Sequence, residues 1–350
     1  MLKKILYPLS LIYDLISKLN RKITKPVKLN CPVISIGNIT WGGSGKSPVV
    51  MELANYILSL NKTPVILSRG YARKDTKQKN VIVRNKKEIV ANLSVSGDEP
   101  YMMAQSVNCP IIVGSNRVES AKIANQFKPD IFILDDGFQH WKIKRDLDIV
   151  CINCLNPFGN EKIIPAGILR EKISSLKRAD LIILTNSNLV SDIVLEELKQ
   201  QITNITNDTP ICSYCEASNI TNIKDNKETD INELKESTSF TAVSAIGSPA
   251  NFINTATNLG LIIKDEVIFQ DHHIYTLKDI SDIAQSFNDN EKILTTAKDA
   301  VKIKDIVQGT PFEDKIYVLN ISVIFKEDKG KITNKINSLL NNEDTELPWN

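Results

Sequence analysis

The feature that most limits how this chain can fold is a strand pattern that runs into a glycine-rich turn and leaves it as a helix. Residues 32–36 read PVISI, residues 37–47 read GNITWGGSGKS, and Pro48 opens a segment with Leu53, Ala54, Ile57 and Leu58 along one face. In such a loop the main-chain N–H groups of Gly42, Gly43, Ser44 and Gly45 curl around phosphate oxygens, and the helix that follows adds its positive end. Lys46 is placed to reach β- and γ-phosphates, and the Ser47 hydroxyl to ligate Mg²⁺. The strict pattern asks for glycine five residues before Gly45; this chain has Thr40 there, and Gly42 and Gly43 can supply the flexibility.

From residue 32 onward, β-branched runs alternate with helical patterns: PVISIG, TPVILSRG, CPIIVG, DIFILDD, LDIVCIN, ADLIILTN and TPICSY. The alternation predicts an α/β fold, P-loop NTPase-like, with a mostly parallel sheet, helices on both faces and ligands at the carboxyl ends of the strands. The polar stretch 219–237 marks a boundary, beyond which FTAVSAIG, LGLIIKDEVIF, KILTTAKD and KIYVLNI form a smaller C-terminal α/β unit. The expected organisation is an N-terminal amphipathic helix over 1–28, a P-loop domain over 29–235, the smaller unit over 236–340 and a frayed tail over 341–350.

Lysine and arginine number 43 against 41 acidic residues, so no broad basic field points to nucleic acid. Six cysteines in 350 residues do not make a disulfide scaffold. Cys151 and Cys154, and Cys212 and Cys215, have CxxC spacing, but both pairs lie in strand patterns, where residues three apart face opposite ways and cannot share a metal. Core cysteines are expected instead. Near the N terminus, Leu6, Leu9, Ile12, Tyr13, Ile16 and Leu19 fall at helical spacing among Lys3, Lys4, Lys18, Arg21, Lys22, Lys25 and Lys28. The segment is too charged to span a bilayer. It suits either an interfacial anchor with lysines at anionic head groups or a helix packed on its own domain or another subunit.

A second nucleotide signal is IFILDDGFQH, a strand pattern ending in Asp135 and Asp136, where a P-loop enzyme places its Mg²⁺ partner. Alone, two such aspartates are equally a turn or cap. Phe138 stands where the DxxG of a guanine-nucleotide switch needs glycine, and Thr296-Ala-Lys-Asp299 has its lysine one place too late to read guanine, so ATP is the expected nucleotide. Asp98, in GDEP, reads as a helix cap or as an acid-base residue. All three histidines lie in flagged motifs: His140 after DDGFQ, and His272 and His273 after Asp271. An aspartate and a histidine brought together across a cleft make a base. Arg69, Tyr71, Arg73, Arg117 and Arg170 follow strands or adjoin these clusters, and the guanidinium groups of the four arginines suit an anionic substrate.

Taken in order, SIGNITWGGSGKSP, LSRGYARK, SGDEPYMMA, LDDGFQH, PAGILRE, VSAIGSPANF, DHHIYT and LTTAKDAVK resemble the tetraacyldisaccharide 4'-kinase family of Gram-negative bacteria. The resemblance runs from about residue 30 to 305 and implies transfer of the ATP γ-phosphate to the 4'-hydroxyl of a tetraacylated disaccharide 1-phosphate, in lipid A synthesis. It implies ATP binding by Thr40 and Gly42 to Ser47, with Lys46 also catalytic, and an Asp98–His272 catalytic pair. Ser47, Asp135, Asp136 and Glu171 are the implied Mg²⁺ residues. Arg69, Tyr71, Glu99, Arg117, Gln139, His140 and Arg170 are the implied substrate contacts. Within the family Thr40 is no departure. The implied partners are the acylated disaccharide phosphate and the anionic cytoplasmic face of the inner membrane, with no nucleic acid and no obligate protein partner; a substrate with four acyl chains favours the anchor reading of the first helix. A nucleotide-driven metal-insertion chaperone and a membrane-associated ATP-binding scaffold are the alternatives.

Overall fold

A computed structural model describes residues 2–70, 73, 75–271, 273–285, 287–288, 290–326 and 329–341. Tyr71, His272 and tail residues 342–350 lie outside the described residues. The strands are β1 (Val33–Gly37), β2 (Pro64–Ser68), β3 (Asn80–Arg84), β4 (Ile111–Gly114), β5 (Ile131–Asp135), β6 (Leu147–Asn153), β7 (Leu181–Thr185), β8 (Ile211–Asn222), β9 (Glu228–Thr229), β10 (Ser239–Ser244), β11 (Ile262–Ile268), β12 (Glu291–Thr296) and β13 (Ile316–Phe325). The α-helices are α1 (Leu2–Ile23), α2 (Lys46–Ser59), α3 (Leu93–Ser96), α4 (Asp98–Ser106), α5 (Arg117–Ala124), α6 (Asp192–Thr206), α7 (Ile231–Ser237), α8 (Pro249–Asn258), α9 (Leu277–Ala284), α10 (Ala297–Val307) and α11 (Lys329–Asn341).

Every β-branched run named above forms a strand, and two strands were not anticipated, β3 and the short β9. The sheet runs β11-β10-β12-β13-β8-β7-β6-β1-β5-β2-β4-β3, with β9 beside β8. In its first half, β1, β2, β4, β5, β6 and β7 are parallel and only the edge strand β3 is antiparallel. Because both faces are covered, β1, β2, β5 and β7 are buried along their whole length. Helices α2, α4 and α11 cover one face through Val49, Leu53, Ile57, Met103, Ile332 and Ile336, while Ala121 of α5 and Leu198 and Ile202 of α6 cover the other. Cys151 and Cys215 pack on the first of these faces and Cys154 and Cys212 on the second, so each CxxC pair is split by the sheet.

The pairing of β8 and β13 decides where a ligand can sit. The start of β8 joins β7 in parallel at Ile211 and Cys212, and its remainder pairs antiparallel with β13, so that Ile220 lies against Leu319. Strands β12, β10 and β11 add in parallel to β13 and therefore run opposite to the first half. They are attached near the far end of β8, roughly 30 Å along the strand at about 3.3 Å per residue. The carboxyl ends of the two half-sheets consequently face each other. Contact between α4 and α10 closes the space between them, and Lys302 of α10 lies 3.2 Å from Asp98 of α4. The polar stretch 219–237 holds the end of β8, β9 and α7.

Helix α1 lies against the body by its more polar side. The stripe it presents to the body is Leu6, Ser10, Asp14 and Ser17, at helical spacing. The Ser10 hydroxyl donates to the Ile163 carbonyl at 2.7 Å and accepts from the Ala166 N–H at 3.1 Å. Leu9, Leu11, Ile12, Leu15, Ile16 and Leu19 are between 48% and 60% exposed, so the apolar face is not packed on its own domain. No helix among the described residues is long and apolar enough to cross a membrane.

Gly37 ends β1 where the strand touches the buried Phe138. A Cβ there would lie 2.6 Å from the Phe138 Cβ and 2.7 Å from its backbone nitrogen, which leaves no flexible atom to yield. Gly37→Ala is expected to cost about 2 kcal/mol, read as a lowered denaturation midpoint with an unchanged m-value.

Candidate active site

The loop between β1 and α2 is fixed from below and from the side. Gly42 and Gly45 have φ values of 110° and 69°, a region in which L side chains are strained. The Thr185 hydroxyl at the end of β7 donates to the Ser44 carbonyl at 3.0 Å, and the Asn153 amide at the end of β6 donates to the Gly43 carbonyl at 3.1 Å. The Asn38 amide donates to the Thr40 carbonyl at 2.8 Å, and Thr40 itself is buried and bridged to Leu169. The segment carrying Ile168 to Arg170 is thus laced to the loop, with the Trp41 N–H on the Ile168 carbonyl at 2.6 Å and the Arg170 N–H on that of Ile39 at 2.7 Å.

At the mouth of this loop the Lys46 ammonium lies 3.2 Å from the Ser44 hydroxyl and 3.6 Å from Asp136. Asp136 adopts a left-handed turn just past β5, φ 52°. Arg170 grips it at 2.7 and 2.9 Å, and Arg117, buried at the start of α5, donates to its carbonyl at 3.0 Å. Burial would raise the Asp136 pKa, but Lys46 and Arg170 hold the carboxyl below its usual range. Asp135 is the opposite case. It is buried, accepts from the Ser68 hydroxyl at 2.8 Å, and is pushed up to about 6 by desolvation and by the nearby charges of Glu99 and Asp136.

Gln139 connects the same centre to Glu171, donating to the Asn38 carbonyl and to the Glu171 carboxylate, each at 2.9 Å. Glu171 is also held by Arg178 at 2.8 and 3.1 Å, and the Arg178 guanidinium stacks 4.4 Å over the Phe138 ring. His140 has a buried Nε2 with no hydrogen-bond partner, and its pKa falls to about 3 through desolvation and the cations Arg117, Arg145, Lys142 and Arg69. It is therefore a neutral imidazole at physiological pH. On the facing half, Asp271 is paired with Lys298 at 3.2 Å, while His273 stacks on Phe269 at 4.3 Å and meets Asp279 at 3.3 Å.

The structure thus gathers Lys46, Asp135, Asp136, Arg117, Gln139, Arg170 and Glu171 in one network, with Asp98 and Glu99 at its edge on α4. Arg69 is exposed at the end of β2, close enough to act on Arg117 and His140 electrostatically. Sequence reasoning missed Ser68, Asn153 and Thr185, whose signal was their position at strand carboxyl ends, and Arg178, for which the sequence offered no signal.

A family model described as tetraacyldisaccharide-1-P 4'-kinase matches residues 2–341. The chain belongs to that family. A tetraacyldisaccharide 4'-kinase of Halothermothrix orenii is 35% identical over 351 residues, covering 95% of this chain and 91% of the relative. One of Elusimicrobium minutum is 35% identical over 333 residues, covering 93% and 88%. The fold is similar to the crystal structure of the "apo" form of LpxK from Aquifex aeolicus in complex with ATP, with a TM-score of 0.77, 30% identity, and coverage of 97% of this chain and 100% of that one. This kinase fold therefore matches one solved with ATP.

The ionised Asp135 penalises the folded state. Its folded pKa, about 6, lies above the usual 3.8, so the penalty is absent at low pH, grows from pH 4 to 6 and is complete above that. In Mg²⁺-free buffer Asp135→Asn is expected to stabilise the protein by about 3 kcal/mol at pH 8 and roughly half as much at pH 5, measured by denaturant titration. An equal gain at both pH values would show that the carboxyl does not titrate there.

Proposed function

We propose that the chain transfers the γ-phosphate of ATP to the 4'-hydroxyl of a tetraacylated disaccharide 1-phosphate, a step in the assembly of lipid A. The observation that carries the reading is the position of Lys46 at the mouth of the glycine loop, poised between the phosphate cradle and the Asp136–Arg170 ion pair. In phosphoryl transfer the protein supplies mainly position and charge. Lys46 and the loop N–H groups neutralise and hold the phosphate oxygens, while Arg170, Arg117 and Arg69 line the acceptor side for a phosphorylated sugar. The hydroxyl oxygen forms its bond to the γ-phosphorus as the bond to the β–γ bridging oxygen breaks, and the hydroxyl proton passes to Asp98.

The residues also fit a magnesium ion. Asp135 carries a buried carboxyl crowded by Glu99 and Asp136, a local excess of negative charge that a dication relieves. Ser47 and Asp135 would hold Mg²⁺, which supplies neutralisation of the β- and γ-phosphate oxygens. No group of three or more His, Cys, Asp or Glu side chains among the described residues is arranged to hold a metal. The sheet's separation of the cysteine pairs speaks against the metal-chaperone alternative.

The acceptor's acyl chains keep it in a bilayer, and the outward apolar face of α1 supports a peripheral seat at the cytoplasmic face of the inner membrane. Each large side chain it buries there is worth about 2 kcal/mol. Asp98→Ala is expected to lower turnover by orders of magnitude in a radiolabelled γ-phosphate assay while nucleotide binding persists; normal turnover would remove Asp98 from the mechanism. Ile12→Asp with Ile16→Asp is expected to reduce partition into anionic vesicles at least about tenfold, with the melting temperature unchanged.

A further inference from the structure

The LTTAKDAVK segment forms the end of β12 and the first turns of α10, and its buried charges have no part in the chemistry described so far. Asp299 is fully buried at the start of α10. Its carboxylate accepts from the Thr296 hydroxyl at 2.8 Å and from the Ala245 N–H at 3.0 Å, which locks it to the carboxyl ends of β12 and β10. One turn further on, the Lys302 ammonium lies 3.7 Å from Asp299 and 3.2 Å from Asp98, with only 8% of the Lys302 side chain exposed. Asp98 opens α4 directly after Gly97, whose φ of 86° turns the chain into the helix. The ion pair therefore joins the second half of the molecule to the first carboxylate of α4 in the first half.

We propose that Lys302 is a positioning residue for the transfer reaction, holding the Asp98 carboxylate in place from the opposite half and thereby making the base dependent on the two halves being together. The inference rests on the role assigned to Asp98 above. Its physical basis is the local charge pattern: Asp98 is followed directly by Glu99, which itself acts on Asp135, and a cation fixed beside Asp98 offsets that excess of negative charge. Asp299, 3.7 Å from the ammonium, adds a second, rigidly placed negative charge that draws Lys302 to this side of α10. A lysine buried between two carboxylates, one of them rigidly bonded, forms a rigid strut, unlike a solvated surface pair.

The test is a double-mutant cycle on the full chain, with the acylated disaccharide 1-phosphate in mixed micelles. Lys302→Met is expected to lower kcat roughly 100-fold with the KM for ATP unchanged, and Lys302→Arg to recover part of the loss. In the Asp98→Asn background the same lysine substitution should cause no further loss, because the residue acts through Asp98. Normal kcat in Lys302→Met overturns the proposal, as does an equal fold-loss in both backgrounds, which would mark a general structural role. Should Lys302→Met unfold because it strands Asp299, Lys302→Met with Asp299→Asn removes both charges and enters the same cycle. Asp98→Asn alone keeps the two readings apart: full turnover there sinks the role of Asp98, whereas a crippled Asp98→Asn beside a normal Lys302→Met sinks only that of Lys302.

Discussion

The antiparallel pairing of β8 with β13 is the contact on which the arrangement of this molecule depends. A parallel half-sheet offers its ligand site at one end only, because all its loops at the strand carboxyl termini gather there. Joining two such half-sheets in parallel would leave their sites side by side. Joining them antiparallel, with an offset along a long strand, sets one rim against the other. The nucleotide loop after β1 then looks across at the loops after β10, β11 and β12, and α4 and α10 meet between them.

Electrostatics at this rim are organised by separating two adjacent aspartates. Asp135 and Asp136 are neighbours in sequence, yet the left-handed turn at Asp136 sends its carboxylate to Lys46 and Arg170 and leaves Asp135 in an acidic, desolvated setting. One carboxylate is therefore compensated by two cations, while the other bears the cost of its burial. The neighbouring His140 stays uncharged amid arginines, so it adds nothing to the positive field.

Much of this was legible in the residues. The glycine loop, the strand ending in Asp135 and Asp136, and the arginines behind the strands announced themselves by type and spacing, since buried parallel strands are almost wholly apolar and their polar ends stand out. Strand β3 was hidden because it is an edge strand, with Asn80, Ile82 and Arg84 half-buried, flanked by lysines. The second part of β8 was hidden for a related reason: it lies in a two-stranded ribbon, where polar residues such as Glu216 and Ser218 are tolerated on open faces. Direction of pairing leaves no trace in composition, so the opposition of the two rims and the Lys302–Asp98 contact came only with coordinates. The first helix shows the limit of periodicity: its greasy face was plain, but that a serine and an aspartate would dock it to the body was not.

The last helix adds a topological consequence. Helix α11 returns from β13 to lie on α2, packing Ile332, Ile336 and Leu340 into the core of the first half and setting the Tyr56 hydroxyl 2.9 Å from Asn337. The polypeptide thus departs from its larger body through one strand and comes home through that strand's immediate neighbour. Everything between is an excursion, looped out of an otherwise self-contained structure, and it hangs from a narrow two-strand stem. A second tie closes the loop: α10 touches α4 and places Val301 in the core of the larger body, so the excursion is held at its rim as well as at its stem.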